Sequence, residues 1–365
     1  MLDKQFWSEQ RVFLTGHTGF KGNWTAKWLA TTGARVSGYA LPPNTTPDLY
    51  SMLFPLQGVT STFGDILDVE PLEQAVAKAD PTVAIHMAAQ PLVRLSYREP
   101  ARTYAVNVMG TLNVLEALRK APNLKTIIVV TTDKVYRNDD SGHVFVESDP
   151  LGGHDPYSSS KAACEEVVSC YDQSYFADAG IAVATVRAGN VVGGGDWSED
   201  RLLPDIWRAM QTGEPLVLRN PLSTRPWQHV LDPVSGYLRF AEKLHQSGGE
   251  GLPKALNFAP VADAPLNVQT VAEMMGQALG LEKAWVQAEG FQPVEMKLLA
   301  LDSSLARKTI GWKPALTGRE AIQWTADWFL NQRQGGDSAA FTAKQIADYE
   351  ARTMETTSSL TEVAS

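Results

Sequence analysis

The sequence is poor in cysteine, histidine and long apolar runs. Its two cysteines, Cys164 and Cys170, form no CxxC pair, and its six histidines are scattered over 365 residues. A disulfide framework and a zinc site are therefore not indicated, and we predict no metal. No apolar run is long enough to cross a bilayer, and the start of the chain is not typical of a signal peptide. We expect a cytoplasmic protein.

Positive charge is also in short supply. The chain has 32 Lys and Arg against 41 Asp and Glu, a net charge of -9 at pH 7. This balance argues against nucleic acid and against a membrane surface as partners. An acidic protein that binds a phosphorylated ligand must do so in a local pocket. With 44% hydrophobic residues, the composition is that of a globular protein with room for two lobes.

The first half of the chain alternates β-rich runs with helical patterns. The runs TVAIHMAA, LKTIIVV and IAVATVRAG are rich in Val and Ile without alternation, as in parallel strands covered on both faces. This predicts an α/β fold, a Rossmann-type doubly wound parallel sheet, over residues 1–189. Residues 190–335 predict a smaller mixed α/β lobe for the substrate, with some segments returning to the sheet. Residues 336–365 are polar, and we expect a frayed tail.

A glycine-rich turn, TGHTGFKGNW, follows the first predicted strand. Gly16, Gly19 and Gly22 allow the backbone to approach a pyrophosphate, and the next helix offers its N–H groups. This predicts a dinucleotide site. The second strand ends in SGYALPP, with neither an acidic residue for an NAD ribose nor an arginine for a 2′-phosphate. Strand two therefore leaves both NAD and NADP open, and Asp65 is a candidate ligand for the adenine.

A tyrosine and a lysine lie four residues apart in YSSSK, at the start of a predicted helix. Tyr157 and Lys161 therefore face the same way. A free tyrosine has a pKa of about 10. A neighbouring ammonium favours the phenolate, so we expect Lys161 to lower the pKa of Tyr157. Such a base can take the proton of an alcohol while a hydride leaves its carbon.

Together, TGHTGFKG and YSSSK resemble the extended short-chain dehydrogenase/reductases that modify nucleotide sugars. The resemblance covers roughly residues 10–330. The stretches HMAAQPLVRLSYREP, TTDKVY, VRAGNVVGGGDW and RPWQHVLDP are similar to those members that dehydrate CDP-glucose. The resemblance implies a small-molecule nucleotide sugar as substrate and NAD as a cofactor that stays bound and is regenerated in each turnover. It also implies a homodimer or homotetramer that packs through two long helices, at about 100–120 and 155–175.

The run TTDKVY ends the strand LKTIIVV with a hydroxyl, a carboxylate and an amine. In the family, a Ser or Thr here binds the sugar hydroxyl that is oxidised, which implies Thr132. Dehydration also needs an acid and a base side by side, and the resemblance implies Asp133 as the acid at C6 and Lys134 as the base at C5. Related TDP-glucose dehydratases have a glutamate at the position of Lys134. A lysine is mostly protonated near pH 7, so two other roles for Lys134 stay open: holding the substrate, or pairing with Asp133.

The resemblance implies the remaining contacts as well. The expected cofactor ligands are Gly16, His17, Thr18, Gly19, Phe20, Gly22, Asp65, Ile66, Ala88, Ala89, Tyr157 and Lys161. The expected substrate ligands are Gln90, Asn107, Asn190, Arg201, Arg225 and His229. The two arginines are candidates for the diphosphate, because a guanidinium binds phosphate oxygens in a fork.

Two other functions stay open at this point. A nucleotide-sugar 4-epimerase needs the same cofactor, threonine, tyrosine and lysine, but it has no use for an acid–base pair. A non-catalytic NAD-binding regulator needs neither the tyrosine nor the lysine. The presence of Asp133 and Lys134 favours dehydration, and the joint presence of Thr132, Tyr157 and Lys161 favours an enzyme.

Overall fold

The computed structural model describes residues 1–260, 266–280, 285–288 and 299–362. Its strands are β1 Arg11–Thr15, β2 Arg35–Ala40, β3 Val59–Phe63, β4 Val83–His86, β5 Thr126–Val130, β6 Val144–Phe145, β7 Ala182–Ala188, β8 Val191–Val192, β9 Leu216–Leu218, β10 Gln228–His229, β11 Ala255–Phe258, β12 Trp285–Gln287 and β13 Ala300–Leu301.

Its helices are α1 Lys4–Glu9, α2 Phe20–Thr32, α3 Leu49–Leu53, α4 Val69–Ala79, α5 Val93–Arg98, α6 Pro100–Tyr104, α7 Thr111–Arg119, α8 Pro156–Tyr171, α9 Leu202–Thr212, α10 Leu231–Ser247, α11 Val268–Leu279, α12 Ser304–Ile310, α13 Gly318–Arg333 and α14 Ser338–Glu362. Two π-helical turns, Ala105–Gly110 and Asp172–Phe176, and a 3-10 turn, Asp133–Val135, complete the helical elements. None of the helices in these ranges is both long and apolar enough to cross a membrane.

Seven parallel strands form the central sheet, in the order β11-β7-β5-β4-β1-β2-β3. The predicted doubly wound sheet is confirmed. The strand order reverses between β1 and β4, so a crevice opens at the carboxyl ends of these strands. Strand β5, TIIVV, is wholly buried, as its unbroken apolar run predicts. Strand β3, VTSTF, lies at the edge of the sheet and is exposed or half-buried along its length. Because several of its residues are polar, a pattern of apolar residues does not predict it as a strand.

Helices cover both faces of the sheet. On one face, α2 and α10 join a core rich in tryptophan that extends to α13 and α14; its members include Trp24, Trp28, Trp207 and Trp328. On the other face, α4, α7 and α8 enclose a smaller core. Helix α2 ends at Gly33, whose φ of 84° places it in the left-handed region that favours glycine. The second half of the chain returns β11 to the sheet beside β7.

The expected frayed tail is wrong for residues 338–354, which belong to helix α14, whereas residues 363–365 lie outside the described residues. Helix α14 packs against the rest of the protein: Trp28 donates its indole N–H to Glu350 Oε1 at 2.9 Å. The hydroxyl of Tyr349 donates to Asp232 Oδ1 at 2.8 Å, and Tyr349 is buried. The segment is amphipathic, so an overall polar composition conceals the few side chains that fix it.

Candidate active site

A cavity of about 640 Å³ lies beyond the carboxyl ends of β5 and β7. Its walls bring together several of the predicted site residues, namely Thr132, Asp133, Lys134, Tyr157, Asn190, Arg201 and Arg225. They come from the turn after β5, the start of α8, the end of β7 and the segments around α9 and β10. The carboxyl-end crevice of a doubly wound sheet is the usual place for a ligand.

The turn after β5 places a carboxylate and an amine side by side. The hydroxyl of Thr132 donates to Asp133 Oδ1 at 2.9 Å, and the Lys134 ammonium donates to the same oxygen at 2.9 Å. Lys134 Nζ also lies 3.4 Å from Asn190 Oδ1. Asp133 is 1% exposed, and its Oδ2 atom has no hydrogen-bond partner among the described residues. The carboxylate is thus bound at one oxygen and available at the other.

Helix α8 presents the tyrosine and the lysine. Lys161 is buried and donates to the carbonyl of Val130 at 2.9 Å, beneath the end of β5. Burial raises the pKa of Tyr157 to about 12, although a hydrogen bond with Thr132 lowers it. The net shift of this pKa is therefore opposite to the lowering that we expected from Lys161. Removal of the phenol from water outweighs the favourable contacts, and the Lys161 ammonium is bound to a main-chain carbonyl.

A buried ion pair fixes the strand end from behind. Arg187 on β7 donates from Nε and Nη2 to the two oxygens of Glu165 on α8, each at 2.9 Å. Glu165 also accepts from the hydroxyls of Thr131 at 2.5 Å and Thr185 at 2.7 Å. Both ionised side chains are at most 5% exposed. The network ties α8 to β5 and β7, and so fixes the distance between Tyr157 and the turn after β5.

The glycine loop follows β1, as predicted. A Cβ atom on Gly22 would lie 2.0 Å from the carbonyl oxygen of Gly16, and one on Gly16 would lie 2.7 Å from Ala88 N. Gly19 is exposed and begins α2 without a side-chain cap. The nearest atom that a Cβ there would meet is Gly16 O, at 3.4 Å. The loop is closed on its inner side and open at Gly19, the shape that a diphosphate against a helix N-terminus requires.

His17 and Thr18 fasten this loop to the neighbouring strands. His17 Nε2 lies 2.6 Å from Ser61 Oγ, and the hydroxyl of Thr18 donates to the carbonyl of Leu41 at 2.8 Å. Burial lowers the pKa of His17 to about 4, so its ring is neutral near pH 7. Their side chains hold the loop in place, and cofactor contacts from these two residues stay predictions.

Asp65, the candidate adenine ligand, already has partners. Its Oδ2 lies 2.9 Å from Arg102 Nη2, and its Oδ1 accepts the N–H of Leu67 at 3.0 Å. A ligand that binds the Asp65 carboxylate must share it with the exposed Arg102 or displace that arginine. The cofactor contacts of Phe20, Ile66, Ala88 and Ala89 stay predictions as well.

Asn107 and Gln90, two of the predicted substrate residues, link neighbouring segments through side-chain hydrogen bonds. Asn107 lies buried in the π-helical turn after α6, accepts the N–H of Gln90 at 2.8 Å and donates to Ser160 Oγ at 2.9 Å. Gln90 in turn donates to Thr103 Oγ1 at 2.9 Å. Neither residue lies on the cavity wall. They join the turn after β4 to α8, which positions the helix that carries Tyr157.

His229, another of the predicted substrate residues, lies in the hydrophobic core. It is fully buried, with the rings of Trp24 and Trp324 edge-on at centroid distances of 5.6 Å. Burial lowers the pKa of His229 to about 3, so the ring is neutral. It is not on the cavity wall, so its position does not support the substrate contact predicted for it. A histidine beside the motif RPWQ is indistinguishable in sequence from one that faces a ligand.

Lys21 is a wall residue that the sequence analysis missed. It follows Phe20 in the first turn of α2, and its side chain lines the same cavity as Asp133. Burial, together with the neighbouring cations Arg201 and Lys161, lowers the pKa of Lys21 to about 7. The available signal was a lysine inside a glycine loop whose helix is otherwise mostly buried. In the described ranges, no cluster of three or more His, Cys, Asp or Glu side chains is arranged to hold a metal ion.

A doubly wound sheet with a glycine loop after β1, and with a threonine, a tyrosine and a lysine around the end of β5, defines an extended short-chain dehydrogenase/reductase. Comparison with known families agrees. The profile of the family described as GDP-mannose 4,6 dehydratase matches residues 13–325. The chain belongs to this family.

Curated relatives and solved structures are similar over most of the chain. A CDP-glucose 4,6-dehydratase of Salmonella typhimurium is 41% identical, and the match covers 96% of this chain and 98% of the relative. A UDP-glucose 4-epimerase of Erwinia amylovora is 27% identical, with 90% and 99% covered. The crystal structure of a dTDP-glucose 4,6-dehydratase of Bacillus anthracis in complex with NAD superposes with a TM-score of 0.72 at 23% identity, covering 90% of this chain and 99% of that one.

Proposed function

We propose that this protein is an NAD-dependent dehydratase that converts CDP-glucose to CDP-4-dehydro-6-deoxyglucose. The observation that carries the proposal is the hydrogen-bonded pair of Asp133 and Lys134, placed beside Thr132 and Tyr157 on one cavity wall. An acid and a base side by side are what elimination of water requires and what epimerisation leaves unused. The relative that acts on CDP-glucose, 41% identical over almost the whole of both chains, supports the choice of substrate.

The cofactor site fits a dinucleotide. The closed inner side of the glycine loop and its exposed Gly19 leave room for a diphosphate at the start of α2. Gly16, Gly19 and Gly22 would hold the diphosphate, and Tyr157 and Lys161 would lie at the reactive end. The chemistry that bound NAD supplies is reversible hydride exchange with the sugar, so no external oxidant is consumed. In this division, residues 1–189 hold the cofactor, and residues 190–335 supply most of the opposite wall.

Oxidation at C4 uses Thr132 and Tyr157. Thr132 orients the C4 hydroxyl, and the Tyr157 oxygen takes its proton. Because burial raises the pKa of Tyr157, the phenolate needs positive charge nearby, and Arg201 already acts in that direction. Lys161, one helical turn further along α8, is the second cation available to it.

Elimination uses Asp133 and Lys134. The hydrogen bond of 2.9 Å between them allows one proton to pass from the ammonium to the carboxylate, which yields a neutral amine and a carboxylic acid together. The C4 ketone acidifies the C5 proton, which the Lys134 amine takes. Asp133 gives its proton to the C6 hydroxyl, which leaves as water. After water has left, both groups carry their starting charges again. As C6 receives the hydride that was taken from C4, Lys134 gives a proton to C5, and the proton that Tyr157 took from the C4 hydroxyl restores the Lys134 ammonium.

The test is to incubate the protein with CDP-glucose, TDP-glucose, UDP-glucose and GDP-mannose in separate reactions. A 4-keto-6-deoxy sugar is detected by the absorbance that it develops in base. We expect product from CDP-glucose in preference to the others. A sugar of unchanged mass with an inverted C4 would identify an epimerase and overturn the proposal, and no conversion of any of the four would do the same.

We also propose that the protein is a homodimer or a homotetramer that packs through helices α6 to α8. Tyr104, Met109 and Tyr175 are exposed apolar side chains on or next to these helices, and a partner subunit would cover them. Analytical ultracentrifugation of the wild type and of Met109→Glu tests this. A wild type that sediments as a monomer at micromolar concentration contradicts it.

A further inference from the structure

The turn that carries the acid–base pair is held from both sides. Asp133 and Lys134 belong to a 3-10 turn of three residues that lies between Thr131 and Tyr136. Thr131, which follows β5, donates its hydroxyl to Glu165. Tyr136, the last residue of the motif TTDKVY, is 1% exposed and does not lie on the cavity wall. Its contacts therefore act on the turn and not on a ligand.

The hydroxyl of Tyr136 binds two buried side chains. It donates to Asn257 Oδ1 at 2.7 Å and accepts from Arg187 Nη1 at 2.7 Å. Asn257 lies on β11 and Arg187 on β7, and both are buried. The ring of Tyr136 stacks on Phe145, with the ring centroids 4.9 Å apart. This side chain thus anchors the C-terminal end of the turn to two strands of the central sheet.

The anchors of the two ends meet at one guanidinium. Arg187 donates from Nε and Nη2 to Glu165, and from Nη1 to Tyr136. Glu165 accepts in turn from the hydroxyl of Thr131 at 2.5 Å. A guanidinium is planar and its donors point in fixed directions, so the positions of the two ends are coupled. Because Glu165 belongs to α8, which also presents Tyr157, the same group fixes the turn relative to the tyrosine that takes the C4 proton.

We propose that Tyr136 is a positioning residue for the elimination of water: its hydroxyl holds the turn so that Asp133 and Lys134 reach C6 and C5 of the sugar together. The inference rests on the proposed function. Elimination depends on two groups of this one turn, whereas oxidation depends on Thr132, at the β5 end of the turn, and on Tyr157 of α8. A displacement of the turn at its Tyr136 end therefore slows elimination more than oxidation.

The test variant is Tyr136→Phe, which keeps the ring against Phe145 and removes only the hydroxyl. Tyr349→Phe is the matched control. The hydroxyl of Tyr349 is also buried, donates to Asp232 Oδ1 at 2.8 Å and lies 3.0 Å from Ser235 Oγ, and both partners belong to α10. Each variant loses a buried hydroxyl with two partners, so a role in stability alone lowers both melting temperatures and leaves the balance of the two chemical steps unchanged.

The first measurement is rapid mixing of each protein with CDP-glucose. The absorbance of reduced nicotinamide reports oxidation, and the base-induced absorbance of the product reports elimination. In Tyr136→Phe we expect elimination to slow roughly 10- to 100-fold, because a misplacement of about 1 Å costs a factor of that size. Oxidation should stay near the wild-type rate, and Tyr349→Phe should keep the wild-type ratio of the two rates. If Tyr136→Phe slows both steps equally, or neither, the inference is refuted.

The second measurement does not depend on the substrate. Hydrogen–deuterium exchange in the peptide that covers residues 131–136 reports how often the turn opens. Exchange should be faster in Tyr136→Phe than in the wild type and in Tyr349→Phe, and equal exchange in all three contradicts the inference. If the exchange is as expected but the wild type converts none of the four nucleotide sugars, the proposed function fails and the anchoring of the turn stands.

Discussion

Replacing Asp133 by Asn separates the two halves of the proposed reaction. The amide has the same shape, and its oxygen can still accept the two hydrogen bonds of 2.9 Å from Thr132 and Lys134. It cannot carry the acidic proton, and it leaves the Lys134 ammonium without a carboxylate to protonate. Elimination therefore loses both its acid and the route to its base, whereas the groups that oxidise C4 stay in place.

The expected size follows from these roles. General acid–base catalysis is worth roughly 10²- to 10⁴-fold, so the elimination barrier rises by about 3–5 kcal/mol. Oxidation should not slow, because the charge of Asp133 raises the pKa of Tyr157, and its removal favours the phenolate. The new amide N–H₂ replaces an oxygen that has no partner in the described part of the chain, which costs about 1–3 kcal/mol of folding stability.

The assay is rapid mixing of the variant with CDP-glucose, followed by the absorbance of reduced nicotinamide and by the base-induced absorbance of the product. Reduced nicotinamide should build up in the variant while the product lags by the stated factor. Asp139→Asn is the matched control, since Asp139 lies on the same cavity wall, is exposed and bonds to Ser141 N at 3.1 Å. If oxidation and elimination slow by the same factor, Asp133 is not the acid.

Three further outcomes are expected. Gly22→Ala should lower the melting temperature of the ligand-free protein, because its Cβ would lie 2.0 Å from a carbonyl oxygen. Gly19→Ala should leave that melting temperature unchanged and weaken only the binding of the dinucleotide. Equal melting temperatures of the two variants would contradict this prediction. Arg187→Met should lower the free energy of unfolding in urea by about 3–5 kcal/mol, because it leaves the Glu165 carboxylate buried without its cation. The double variant Arg187→Met, Glu165→Leu should regain part of that loss. A double variant no more stable than Arg187→Met would contradict this prediction. Burial raises the pKa of Asp232 from 3.8 to about 7, so the folded state holds a proton that the unfolded chain releases. The free energy of unfolding should therefore fall as pH rises from 4 to 7 and then level off. Asp232→Asn should flatten that slope in thermal melts, and an unchanged slope would exclude this residue as its origin.

The sequence predicted the parts of the site that local chemistry marks. A glycine loop after a strand, a tyrosine and lysine one helical turn apart, and ionisable residues after a buried strand each have a short-range signature. The partners of a side chain do not. His229 and Arg225 lie four residues apart in one motif, yet tryptophans from α2 and α13 enclose the histidine while the arginine reaches the cavity. Lys21 escaped notice because its neighbours Arg201, Lys161 and Asp133 are distant in sequence.

The pKa of Tyr157 shows the same limit for energetics. The spacing of Tyr157 and Lys161 predicts that both lie on one face of a helix, and α8 carries both with buried side chains. The net effect on the phenol depends on burial and on which acceptor takes the ammonium, here the carbonyl of Val130. Both are properties of the assembled sheet and of its cover.

The way α14 and β11 close back on the first half limits how this enzyme can be cut or recombined. A fragment ending at residue 189 would lose the strand that pairs with β7, and would leave Trp28 in α2 without the carboxylate of Glu350. Such a fragment would expose a bare sheet edge and an uncovered indole, and would aggregate instead of folding. New nucleotide preferences are better sought by exchanging short wall segments, such as the loop around Arg225, than by grafting one half of the polypeptide onto another.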